Sequence, residues 1–218
     1  MNLGRVIEAH VVARGRNGNV LHFERTKGGW SAGDLTTACA GTEPVVGAPV
    51  LLVHDSRLHV FARTRGDRLL HLERTEDGQW EGRTIASETI GDPAAVAGPG
   101  GLHVVAAGRD CGLIHAWGSG KTWRVEDLVA TRPALGAGPA PEAPLLAWGT
   151  SDEIRLFGRR NGALVQWIWR PDTDWVASAA SERAGVARRH EPRDAPQLVL
   201  DREGGYHLFA TDGSGTVV

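Results

Sequence analysis

With 218 residues, 41% of them hydrophobic and 23% charged, the chain has the composition of an ordinary folded domain, not of a disordered segment. A formal net charge of −2 removes the electrostatic case for nucleic acid or an anionic membrane as partner. No run approaches the roughly 18 apolar residues of a membrane span, and the opening MNLGRVIEAH has no signal-peptide core. The default expectation is cytoplasmic residence, with non-classical release as the other route.

Five segments share one pattern: His10-Val11-Val12-Ala13-Arg14, His59-Val60-Phe61-Ala62-Arg63, His103-Val104-Val105-Ala106-Ala107, Arg155-Leu156-Phe157-Gly158-Arg159 and His207-Leu208-Phe209-Ala210-Thr211. Their starts (10, 59, 103, 155, 207) are 49, 44, 52 and 52 residues apart. A period in this range predicts an all-β chain of four-stranded blades, a β-propeller. The expected repeats are approximately 1–46, 47–90, 91–140, 141–193 and 194–218, in a single domain over 1–218.

In chain order, residues 1–6 leave room for a brief inner strand. The first repeat continues through His10–Arg14, a turn at Gly15-Arg16-Asn17-Gly18, a strand carrying His22, and Gly28-Gly29-Trp30. The second repeat is the clearest. Pro49-Val50-Leu51-Leu52-Val53 reads as an inner strand, followed by a turn at 54–57. A strand over 58–63, a turn at Arg65-Gly66-Asp67, a strand over 68–74, a turn at 76–78 and an outer strand over 80–85 follow. Asn-Gly and its relatives supply the positive φ that tight hairpins need. Pro49, Pro93, Pro144 and Pro196 are expected at the heads of inner strands, where a missing N–H is tolerated. A small residue recurs on the second strand (Ala13, Ala62, Ala106, Gly158, Ala210), as close packing of blades requires. The stretch 134–143 reads as a link between blades. The last repeat stops in its third strand, so about five blades are expected, the last incomplete, unless the chain is part of a larger polypeptide.

Eight tryptophans against four phenylalanines and one tyrosine are an unusual balance. Trp30, Trp80, Trp123 and Trp175 stand at one place in four repeats, each just after a turn. An indole face suits the C–H face of a sugar ring, and its N–H can donate to a hydroxyl. The competing reading is a wedge between blades. Polar partners for a sugar are Arg14, Arg63 and Arg159, with His22, His71, His115 and Gln166 on the third strands. The histidine and glutamine residues serve equally well to satisfy backbone groups within a blade. The two cysteines, Cys39 and Cys111, occupy unrelated positions and predict neither a disulfide framework nor a zinc site. The histidines recur at repeat intervals, not at metal-ligand spacing, so no metal and no cofactor is expected. Gly118-Ser119-Gly120-Lys121-Thr122 is no phosphate loop, because the position that loop requires as glycine is His115. Glu142, Asp152, Glu153 and Asp201 fall on turns and strand starts and make a poor case for glycoside hydrolysis.

Phe61-Ala62-Arg63-x-x-Gly66-Asp67-x-Leu69-x-His71 with Gly78-x-Trp80 resembles the blades of PLL-type bacterial lectins and their tectonin-like relatives. The run from Arg14 through His22 to Gly28-Gly29-Trp30-Ser31 resembles them more closely. The resemblance touches all five repeats. It implies a non-catalytic, multivalent propeller lectin with pockets for fucose-type or O-methylated sugars between blades. The chain departs from it in repeat number and in Ala107, which stands where the arginine belongs. Residues 118–123 also resemble the aspartate box of sialidases, without its Asp. The alternative expectation is a protein-interaction, scaffold or sensor propeller from a longer polypeptide, or a homo-oligomer.

Overall fold

The computed structural model describes residues 9–138, 145–160, 163–179, 197–200, 205–209 and 211. Two compact units divide the chain, Met1–Ser87 and Glu88–Val218.

In the first unit, β1 (Ala9–Arg14), β2 (Val20–Thr26) and β3 (Gly29–Asp34) form one antiparallel sheet. β4 (Val45–His54), β5 (Arg57–Thr64), β6 (Leu69–Arg74) and β7 (Trp80–Ala86) form the next, each strand paired with its neighbour in sequence. The second unit repeats this plan. It contains β8 (Ala94–Gly98), β9 (Gly101–Ala107), β10 (Leu113–Ser119) and β11 (Thr122–Asp127), then β12 (Leu146–Gly149), β13 (Ile154–Arg160), β14 (Ala163–Arg170) and β15 (Asp174–Ala179). A hairpin of β16 (Gln197–Leu200) and β17 (Tyr206–Phe209) follows.

The turns follow from their residues. Gly18, at φ +87°, closes the β1–β2 turn with its N–H donating to Gly15 at 3.0 Å, where a Cβ would meet Pro44 and the Val45 carbonyl. Asp67 takes φ +56° in the β5–β6 turn, a conformation aspartate tolerates. Pro93 immediately precedes β8, as expected. Pro49 does not head its strand. β4 begins at Val45, and Pro49 lies where its pairing with β5 slips between Val46 and Val50, so the missing N–H falls in the break. Pro144 and Pro196 lie outside the described residues, as do Ala210 and the last-repeat turn at 212–215.

Each unit has its own apolar core. In the first, Val20 of β2 and Val45, Val60, Ala62, Leu70 and Leu72 of the following sheet pack together with Leu35 and Cys39. In the second, Leu113, Ile154, Leu156, Val165, Trp167 and Trp175 pack with Leu128 and Leu135. Leu35 and Leu128 arrive by one device. The outer strand ends at an aspartate, and a single helical turn follows: α1 (Leu35–Ala38) after Asp34 and α2 (Leu128–Thr131) after Asp127. The Asp34 carboxylate accepts from Thr37 N–H at 3.0 Å, and Asp127 from Val129 and Ala130 N–H at 2.9 and 3.2 Å. Asp127 also accepts from Leu113 N–H at 3.2 Å, tying the turn to β10. Asp127→Ala is expected to cost about 1–2 kcal/mol, read as a shift in the urea midpoint, since it removes a helix cap and a strand tie together.

Candidate functional site

The register of the sheets makes the repeats equivalent. His22 pairs with Val12, His71 with Phe61, His115 with Val105 and Gln166 with Phe157. All four side chains are buried. In three sheets the third-strand histidine meets the histidine that opens the second strand. The contacts are His10 Nδ1 to His22 Nε2 at 3.1 Å, His59 Nδ1 to His71 Nε2 at 3.0 Å and His103 Nδ1 to His115 Nε2 at 3.1 Å. Burial lowers the pKa of each third-strand histidine, that of His71 to about 3. They are neutral imidazoles held inside the sheet.

The tryptophans also share one register, opposite Arg25, Arg74, Gly118 and Trp169. Their surroundings differ. Trp80 meets His22 of the preceding sheet edge-on, with centroids 5.4 Å apart, and Trp175 meets His115 of its preceding sheet in the same way at 5.4 Å. Trp175 is buried in the core, Trp80 is half-buried, and Trp30 is 56% exposed. Trp123 is half-buried and donates its Nε1–H to the Gly120 carbonyl at 3.2 Å.

The fold therefore brings His22 to Trp80 and His115 to Trp175 across sheet junctions. It does not bring the predicted arginines to them. Arg63 opens the β5–β6 ladder opposite Leu69, while Trp80 closes the β6–β7 ladder opposite Arg74. Five residues of strand, about 17 Å, separate the two ends. Arg14 and Arg159 lie at the Arg63 end of their sheets.

At the Trp80 end, a cleft of about 780 Å³ opens between the first two sheets. Its lining includes His10, Glu24, Asp55, Arg57, Arg74 and Glu76, and Val53 and Leu58 add apolar surface. The Arg74 guanidinium donates to Glu24 across the junction at 3.1 Å, and this bond holds the Glu24 carboxyl below its ordinary pKa. Arg57 bridges Glu76 and the buried Glu73, the latter at 3.0 Å. The walls thus alternate acceptor and donor. A carboxylate and a guanidinium side by side match the two roles of adjacent sugar hydroxyls, and the apolar patch suits C–H groups. One signal in the chain pointed here: His22-Phe23-Glu24-Arg25-Thr26 and His71-Leu72-Glu73-Arg74-Thr75 share one pattern. The first supplies Glu24 to the cleft and the second supplies Arg74.

No protein-family model matches the sequence, and no curated protein matches it. Solved structures do. The fucose-specific lectin of Aleuria aurantia superposes over 96% of this chain and 68% of its own, at 14% identity and a TM-score of 0.64. The AofleA protein of Arthrobotrys oligospora does so over 95% and 62%, at 14% identity and a TM-score of 0.64. The SapL1 lectin, solved with α-methyl fucoside, covers 95% of this chain and 69% of its own, at 14% identity and a TM-score of 0.63. The Aleuria lectin is a six-bladed β-propeller. The fold of this chain is a β-propeller. Its sheets are the blades, and the cleft lies between the first of them, β1–β3, and the second, β4–β7. No helix among the described residues is long and apolar enough to cross a membrane.

Proposed function

We propose that the chain is a carbohydrate-binding propeller without catalysis, and that the cleft between its first two blades holds a sugar. The observation that carries this reading is the Glu24–Arg74 pair, bonded from blade to blade at the cleft beside apolar Val53 and Leu58. Propellers of similar fold bind fucose and fucosides, which supports a glycan partner and makes fucose-type sugars the first to test. Within that group, the Arg63-x-x-Gly66-Asp67 motif and the Gly-x-Trp runs ending at Trp30 and Trp80 favour a PLL-type or tectonin-like relative, for which O-methylated sugars are the second test. Trp80 and His22 meet edge-on at the junction of the same two blades, and Trp175 and His115 do so between the third and fourth. Arg14, Arg63 and Arg159 are kept as candidates for contacts at the opposite end of the blades, and Trp30, Trp123 and His71 as members of the repeated series. We read residues 1–218 as one domain of about five blades, the last incomplete.

A single shallow sugar contact is weak, because it must offset lost rotational freedom, so useful binding would come from several blades on a multivalent surface. On a glycan array the wild-type chain is expected to bind fucosylated or O-methylated glycans. Glu24→Ala and Arg74→Ala are each expected to lower that binding at least tenfold, the cost of about 1.4 kcal/mol for lost charge-assisted bonds, with the far-UV spectrum unchanged. Retained binding in both variants moves the site out of this cleft. A wild-type chain that binds no glycan points instead to a protein-interaction propeller.

A further inference from the structure

We infer that the second blade contains a site for a zinc-class divalent cation, formed by His59 on β5 and His71 and Glu73 on β6. All three residues are buried, and one ligand atom from each lies within 4.8 Å of the other two. Two imidazoles and a carboxylate are a donor set that zinc and its first-row neighbours accept. His59 Nδ1 and His71 Nε2 stand 3.0 Å apart and face each other, with ring centroids 5.3 Å apart; a small opening to about 3.3 Å, with both rings turned toward Glu73, would set them on one tetrahedral zinc.

The protonation states also suit a ligand. Burial holds both rings in their neutral form. His59 is hydrogen-bonded to the backbone of His54, as His103 Nε2 is to the Pro99 carbonyl at 2.8 Å in the third blade. A backbone bond of this kind is the outer-shell contact that metal-binding histidines commonly make.

Charge does not forbid the site. Glu73 is paired with Arg57 at 3.0 Å and Arg83 at 3.7 Å. Each arginine has a second carboxylate, Glu76 for Arg57 and Glu81 for Arg83. Three carboxylates against two guanidinium groups leave one negative charge in excess before any cation enters. Glu73 retains lone pairs for a metal while accepting from arginine.

Neighbouring blades act as controls. The third blade has the same histidine pair, but Trp117 stands where Glu73 stands in the second, stacked on His115 with centroids 4.7 Å apart. The first blade has His10, His22 and Glu24 at the same register, yet among the described residues only the second blade gathers all three donors. Spacing along the chain hid the site, since a hairpin joins residues 59 and 71. An ion there would be sealed from solvent and would clasp β5 to β6.

The test uses the untagged chain, stripped with chelator and titrated with Co(II). One equivalent is expected to bind, with the intense visible bands of a low-coordinate cobalt site, and Zn(II) is expected to displace it and raise the thermal midpoint. His59→Asn should weaken binding by more than the roughly 10–100-fold that loss of an outer-shell partner costs, with the circular-dichroism spectrum retained. His103→Asn should leave cobalt affinity as it was. If His59→Asn does not fold, X-ray absorption on the zinc-loaded wild type decides, with two imidazoles and a carboxylate oxygen expected. Absence of the bands in wild type overturns the assignment. So does loss of binding on His103→Asn or His10→Asn with His59→Asn unaffected.

Discussion

Lowering the pH from neutral to about 4.5 is expected to destabilise the chain by roughly 4–5 kcal/mol through two histidines alone. Burial depresses the pKa of His71 from 6.5 to about 3 and that of His103 from 6.5 to about 4. Below 6.5 the unfolded chain takes up a proton at each position and the folded chain does not. Each pH unit in that window therefore costs about 1.4 kcal/mol per histidine, until the folded pKa is reached. Burial shifts His22, His59 and His115 in the same direction. Glu126 adds its share lower down. Its carboxylate bonds to His115 and Arg132 and has a pKa near 2, so its contribution is present above 4.5 and is lost as the pH falls toward 2. The measurement is the urea midpoint between pH 7 and 4.5. His71→Gln refines it, because Gln166 already fills the equivalent buried position of the fourth blade. That variant should reduce the pH slope by close to one proton. Stability that stays flat over this range would mean the histidine pairs open to water in solution.

Spacing along the chain was enough to find the blades, because a blade is local. Its strands pair with their sequence neighbours, and turns such as those at Gly18 and Asp67 announce themselves by residues that accept positive φ. The equivalence of the four tryptophans is equally local, and the register bears it out. The one-turn helices after Asp34 and Asp127 had no period to detect, although an aspartate before a buried leucine marks both. The ends of the blade could have been separated from the strand order. Arg63 precedes the second turn and Trp80 follows the third, so an antiparallel meander places them apart. The cleft could not have been drawn, because Glu24 and Arg74 are 50 residues apart and meet only when two blades stack.

Burial of the tryptophans is non-local for the same reason, and it predicts sharply unequal substitutions at equivalent positions. Trp175→Ala is expected to cost about 3–5 kcal/mol, the usual range for removing a buried indole. The residue is 6% exposed, packs in the core of the second unit and meets His115 edge-on. Truncation leaves a cavity and opens the wall over a buried histidine. Trp30→Ala is expected to cost less than about 1 kcal/mol, since 56% of that residue is already in water. The register places both residues alike on the outer strand, three residues before the partner of the third-strand His22 or Gln166, so strand propensity cancels in the comparison. What remains is burial, including the contact of Trp175 with His115 of the third blade. Urea denaturation of the two variants beside wild type reads the difference directly. Equal losses would show that position within the blade, not stacking of one blade on the next, sets the role of the series. A large loss for Trp175 alone makes that indole a wedge between the third and fourth blades and leaves Trp30 as the member of the series whose face is open to a ligand.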